Sequence, residues 1–137
     1  MSDVLPKLLS REQALLAGKA LAALRGGIGA LAWVAPRLAI RPWAGAVTAR
    51  DPGGRLLGRA LGSRDIALAA GALLAERHGG PVRGWIEAGA LSDAGDVLAT
   101  TLTFGELPRF TRWGVLGLTV AAVVAGGIVA PCIDREE

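Results

Sequence analysis

Three acidic residues stand out within two largely apolar segments of the chain. Asp65 lies in LLGRALGSRDIALAAGALLA, and Asp93 and Asp96 lie in VRGWIEAGALSDAGDVLATTLTFG. The Asp-x-x-Asp spacing puts the last two on one helical face, where residues three or four apart are neighbours. Neighbouring carboxylates in a low dielectric do not readily both ionise. One neutral and one ionised carboxyl is the arrangement that acid/base catalysis uses. Asp93, Asp96 and Asp65 are therefore the candidate catalytic residues. The same groups could relay protons or hold a divalent cation, although the nearby arginines oppose a cation.

Two arginines complete the set. Arg64 is adjacent to Asp65, about 100° away on a helical wheel, so the two can address different neighbouring helices. Arg25 shares a face with Gly18, Ala22, Gly29 and Trp33. Arg25 and Arg64 could steady a carboxylate, a phosphate or an enolate-like oxygen. Ser92 and Trp85 lie on the same stripe as Asp93 and Asp96, with Gly89, Thr100 and Thr103. Arg25, Arg64, Ser92 and Trp85 are the candidate substrate-binding residues. The expected arrangement is a buried network in which Arg25 and Arg64 pair with Asp65, Asp93 and Asp96. Arg59 and Glu87 lie nearer helix ends, where long charged side chains snorkel.

Other chemistries have less support. His78 is the only histidine and sits in a glycine-rich turn, which suits a solvated side chain. Ser92 has no histidine near it in sequence, which argues against a serine hydrolase. Gly26-Gly27-x-Gly29 lies inside a helical pattern, without the strand that must precede a phosphate-binding loop. The single cysteine, Cys132, excludes an internal disulfide and a cysteine-based metal cage. Neither a cofactor nor a metal is expected. Lys and Arg are scattered singly, so a net charge of +3 does not point to nucleic acid.

These residues need elements to hold them. Hydrophobic residues make up 52% of the 137-residue chain and charged residues only 20%, against about 25% charge in soluble domains. Aromatics are scarce and tyrosine is absent. Small residues dominate instead, as in closely packed membrane helices. The clearest span is 113–133, 21 residues without a charge, with Arg112 and Trp113 at one end. That length crosses a hydrocarbon core. An acidic tail, 134–137, follows it. Further spans are expected over 14–35, 56–75 and 82–105. Ser10 with Gln13 forms a capping box for the first. Pro36 and Pro42 are expected to end it, and 45–55 to be the longest linker, turning at Asp51-Pro52-Gly53-Gly54. The N-terminus, MSDVLPKLLSREQ, lacks the apolar run of a signal peptide.

The fold expected is thus an all-α, four-transmembrane-helix antiparallel bundle forming one domain, 1–137, with both termini on one side. Six Lys and Arg residues fall on each side, so the positive-inside rule assigns no orientation. Each central acid costs about 2.5–3.5 kcal/mol if it faces lipid, while a Leu or Val returns only about 0.3–0.6. The charges of the second and third spans must therefore turn inward and pair. Gly58 and Gly62 form a G-x-x-x-G pair that allows close helix contact. Ile86, Ala90, Val97 and Leu98 are expected on the lipid side of the third span.

The segments LLGRALGSRDIALAAGALLA and IEAGALSDAGDVLAT resemble small uncharacterised bacterial four-helix integral membrane proteins, DoxX-like in size and layout. Gly62, Arg64 and Asp65 carry the resemblance, with Asp93 and Asp96. It covers about half of the chain and implies a plasma-membrane bundle with a polar centre, without bringing an activity. Three functions follow as expectations. One is a membrane-embedded acid/base enzyme, an isomerase or cyclase acting on a lipophilic small molecule. Another is a subunit that binds or transports a small molecule or proton. The third is a structural accessory subunit. The expected partners are the lipid bilayer, a lipophilic small molecule, and a second copy or another membrane protein.

Overall fold

The computed structural model describes residues 8–109 and 111–133. The first seven residues and the acidic tail lie outside the described residues. Every regular element described is an α-helix: α1 (Arg11–Val34), α2 (Pro36–Arg50), α3 (Pro52–Arg77), α4 (Val82–Leu102) and α5 (Arg112–Ile133). The four expected spans correspond to α1, α3, α4 and α5 within a few residues. Two helices, α1 and α5, are long and apolar enough to cross a membrane.

The helix ends follow from local chemistry. The Ser10 hydroxyl accepts from the Gln13 N–H at 3.2 Å, and the Gln13 side chain accepts from the Ser10 N–H at 3.0 Å. This reciprocal capping box starts α1. Asp51 caps α3 by accepting from the N–H groups of Gly53 and Gly54 at 2.7 and 3.3 Å. Pro52 then occupies the first turn, where a missing N–H costs nothing. At the other end of α3, Gly79 takes φ +67°. The N–H groups of Gly79 and Gly80 donate to the carbonyls of Glu76 and Ala75. This Schellman closure turns the chain tightly into α4, with His78 exposed beside it.

The expected linker between the first two spans is largely helical. Pro36 begins α2 at a position that favours proline, instead of ending helical structure. The helix tolerates Pro42 and then breaks at Gly45, whose φ of 87° and ψ of 171° turn the chain. Ile40 is buried, and both Ile40 and Pro36 lie against Gly58 of α3.

Antiparallel α1 and α3 approach most closely at Gly29 and Gly62. A Cβ built on Gly62 would lie 2.6 Å from the Gly29 carbonyl oxygen, and one on Gly29 would lie 2.8 Å from that of Gly62. Any side chain here separates the helices. Lys19 of α1 and Glu76 of α3 pair at 2.5 Å further along the same interface. On the other side, Gly126 of α5 faces Ala90 of α4. Ile86 is buried, with its Cδ1 beside Gly18 of α1. Ile86 and Ala90 thus face α1 and α5 and do not form the outer side of α4. Leu98 is exposed as expected.

The interior is small and the exterior is large. Buried apolar positions are mostly alanine, with Ile40, Val82, Ile86, Val129, Cys132 and Ile133. Among the described residues no leucine is buried, whereas Leu16, Leu24, Leu56, Leu91, Leu102 and Leu118 are each more than 60% exposed.

Candidate functional site

Three helices bring the charged residues together. Arg25 reaches from α1, and its Nη1 donates to Oδ1 of Asp65 on α3 at 3.1 Å. Its Nη2 donates to Oδ2 of Asp93 on α4 and to the Gly89 carbonyl at 3.4 Å. Gly89 makes room for this: a Cβ there would lie 3.3 Å from the guanidinium nitrogens. Arg64 turns the other way from α3 and grips Asp96 with two bonds, Nη1 to Oδ1 at 3.0 Å and Nη2 to Oδ2 at 2.8 Å. This fork-to-fork geometry is specific to arginine. Nε and Nη2 of Arg64 also donate to Asp65 Oδ1, at 3.3 and 3.2 Å. One oxygen of Asp65 therefore accepts from both arginines.

The expected pairing of Arg25 and Arg64 with Asp65, Asp93 and Asp96 matches this arrangement, with a division the spacing did not specify. Asp93 belongs to Arg25, Asp96 to Arg64, and Asp65 is shared. Arg59 and Glu87 stand outside the network. Arg59 donates to the Trp33 carbonyl at 3.3 Å and is exposed, and Glu87 pairs with Arg83 on the surface of α4 at 2.6 Å.

The network forms one wall of a cavity of about 290 Å³ to which all five helices contribute. Asp65, Asp93, Asp96 and Arg25 line it, and Arg64 does not. Arg64 contacts its carboxylates from outside, and its side chain is 32% exposed against 18% for Arg25. The wall thus presents three carboxylates and one guanidinium. The rest is apolar, including Leu21, Ile28, Leu68, Ile86 and Leu118, with Trp43 and Trp85. Leu24, Ile28, Pro42, Trp85 and Leu118 are exposed as well as lining, so the cavity is open to the outside.

Trp85 lines the cavity and lies against Gly71. Ser92 is half-buried and does not line it. Sequence reasoning overlooked Trp43, whose Nε1 donates to the Thr100 hydroxyl at 3.1 Å. Thr100 is buried and donates in turn to the Asp96 carbonyl at 2.7 Å. That chain of bonds ties α2 to α4 beside the carboxylates. Only the helical state of α2 could have shown it. Among the described residues, no three His, Cys, Asp or Glu side chains converge as a metal site requires.

Comparison with protein-family models, with curated proteins and with solved structures gives no match to this chain.

Proposed function

We propose that this protein is a multi-pass integral membrane protein of the plasma membrane that binds a small lipophilic molecule in the cavity between its helices. In this reading α1, α3, α4 and α5 cross the bilayer as a four-helix bundle forming one domain, and α2 caps one end. The observation that carries it is the inverted distribution of side-chain size and polarity. Among the described residues every leucine is exposed or half-buried, while the buried positions are mainly alanine and glycine with Asp93 and Thr100, and Arg25, Asp65 and Asp96 line the cavity. Soluble monomers rarely leave apolar patches of more than a few hundred Å² exposed. Charged groups in membrane helices face the bundle interior and pair, as Arg25, Arg64, Asp65, Asp93 and Asp96 do. The charges of α3 and α4 lower their apolarity, and their pairing offsets part of the insertion cost. The DoxX-like resemblance agrees with this layout.

Binding fits the site better than acid/base catalysis. Catalysis needs one carboxyl to stay protonated as the acid. Here both oxygens of Asp96 and one of Asp93 are occupied by guanidinium N–H groups, which leaves little of either carboxyl to exchange a proton with a bound molecule. The cavity's size is close to the lower bound of about 300 Å³ for small-molecule sites.

The test is native mass spectrometry of the detergent-purified protein, wild type beside Asp93→Asn/Asp96→Asn. A discrete small-molecule adduct on wild type, missing from a folded double variant, is the expected result. Two adduct-free proteins of equal stability would refute the binding reading. Extraction of the protein from membranes by alkaline carbonate would refute the integral one.

A further inference from the structure

The charge on the cavity wall identifies the kind of molecule it suits. Two guanidiniums face three carboxylates in the network, so one negative charge is in excess. The excess is sharper inside the cavity, because Arg64 compensates Asp65 and Asp96 from the far side and contributes nothing to the lining. An unbalanced charge in a low-dielectric site is costly. A proton or a bound cation relieves it.

The remaining lining narrows the class. Asp96 lies one helical turn from Thr100, roughly 6 Å along α4, and Thr100 holds the indole of Trp43 by its N–H. The Trp43 ring is thereby anchored to α4 one turn from Asp96, and both line the cavity. Aromatic faces attract cations electrostatically, and quaternary ammonium groups are the usual ligands of such sites. Trp85 supplies a second indole about three turns from Asp96 along the same helix. Inorganic cations fit poorly, since calcium takes about six to eight oxygen ligands and magnesium keeps an ordered water shell, whereas most of this wall is apolar.

We infer that the cavity is a binding site for a lipophilic organic monocation, an amine or quaternary ammonium with an apolar substituent. This rests on the binding reading above and specifies its ligand. The charged head lies among Asp93, Asp96 and Trp43, and the apolar part lies toward Ile28 and Leu118. A cavity of about 150 Å³ holds benzene. A volume of about 290 Å³ has room for a benzyl group with a trimethylammonium head.

Three probes of equal heavy-atom count test this by isothermal titration of the full-length protein in dodecyl maltoside: benzyltrimethylammonium, uncharged N,N-dimethylbenzamide and anionic phenylmethanesulfonate. Wild type is expected to bind the cation at least about tenfold more tightly than the neutral probe, a factor equal to 1.4 kcal/mol, and the anion not at all. Asp93→Asn and Asp96→Asn each remove the excess charge and are expected to abolish the preference. Arg64→Gln doubles the excess and is expected to strengthen it, an increase that a merely structural network would not produce. If the neutral or anionic probe binds wild type as well as the cation does, the inference is overturned while the cavity reading stands. If none of the three binds, both fall. Weaker cation binding by a folded Arg64→Gln protein would also overturn the inference. Should a variant fail to fold, the three-probe comparison on wild type decides alone.

Discussion

The same four helices build two regions of opposite character, two turns apart. Toward the start of α1, Ala14 and Ala22 pack with Ala72, Val82, Ile86, Val129, Ala130, Cys132 and Ile133 into an apolar cluster, of which Ala22, Ala72 and Ile86 also form the near end of the cavity. One turn beyond Ala22, Arg25 opens the charged cavity. On α3 the change runs from Ala72 to Asp65, and on α4 from Ile86 to Asp93. In the first region branched side chains from α4 and α5 reach across to small residues on α1 and α3. In the second, α3 and α4 supply carboxylates that bind guanidiniums instead of filling space. A cavity is the consequence.

That contrast can be broken experimentally, and the largest effect belongs to the charged region. Arg25→Met leaves Asp65 and Asp93 without their shared partner. A loss of about 3–5 kcal/mol is expected, as for other broken buried ion pairs, measured by chemical unfolding in detergent. A cost below that of Ile86→Val, about 0.5–1.5 kcal/mol, would mean that the charges contribute less than the packed cluster. Arg64→Gln should cost less than Arg25→Met, because the Arg64 side chain is 32% exposed. Arg64→Asp, which sets a fourth carboxylate beside Asp65 and Asp96, should cost more than Arg64→Gln. Adding Asp96→Arg to Arg64→Asp should restore the lost stability and adding Asp93→Arg should not, since Arg64 bonds to Asp96 and not to Asp93.

Two substitutions on one helix sharpen the comparison further. Ala130 is 1% exposed inside the packed cluster, so Ala130→Leu should destabilise by about 1–3 kcal/mol through overpacking. Ala122 lines the cavity, so Ala122→Leu has space to enter and should change stability by no more than about 0.5 kcal/mol. Equal melting temperatures for the two variants would remove the distinction between a closed and an open region. Trp43→Phe deletes one hydrogen bond to Thr100 and should fall between Ala130→Leu and Ala122→Leu. About 1 kcal/mol is at stake.

The sequence made the charged partners legible because helical spacing and electrostatic cost constrain them together. Asp93 and Asp96 had to face inward, and adjacent Arg64 and Asp65 had to point to different neighbours. Both expectations match the bonding of Arg64 to α4 and of Asp65 to α1. The Ser10–Gln13 cap was equally readable. Three things were not. The helical state of α2 was hidden by Pro36 and Pro42, since the same residue type starts a helix or stops one according to position. The role of Trp43 depends on that helix and was hidden with it. Ile86 and Ala90 were placed on the outer side of α4 because a single polar stripe was taken to define its inner face. A helix packed on both sides has two inner faces, and the second, toward Gly18 and Gly126, is apolar.

Asp65 Oδ1 receives N–H groups from both arginines, and this single atom makes the two ion pairs parts of one balance. Arg25 and Arg64 draw on the same electron density, so a bond strengthened on one arm weakens the other. Truncations of Arg25 and Arg64 should accordingly be non-additive, with an interaction energy of about 0.5–3 kcal/mol in a double-mutant cycle. The link also runs between compartments of the molecule. Arg25 looks into the cavity, while Arg64 is partly open to the surroundings of α3 and α4. By thermodynamic reciprocity, whatever disturbs Arg25 from within is felt by Arg64 outside, and a contact made to Arg64 from outside alters what the cavity holds.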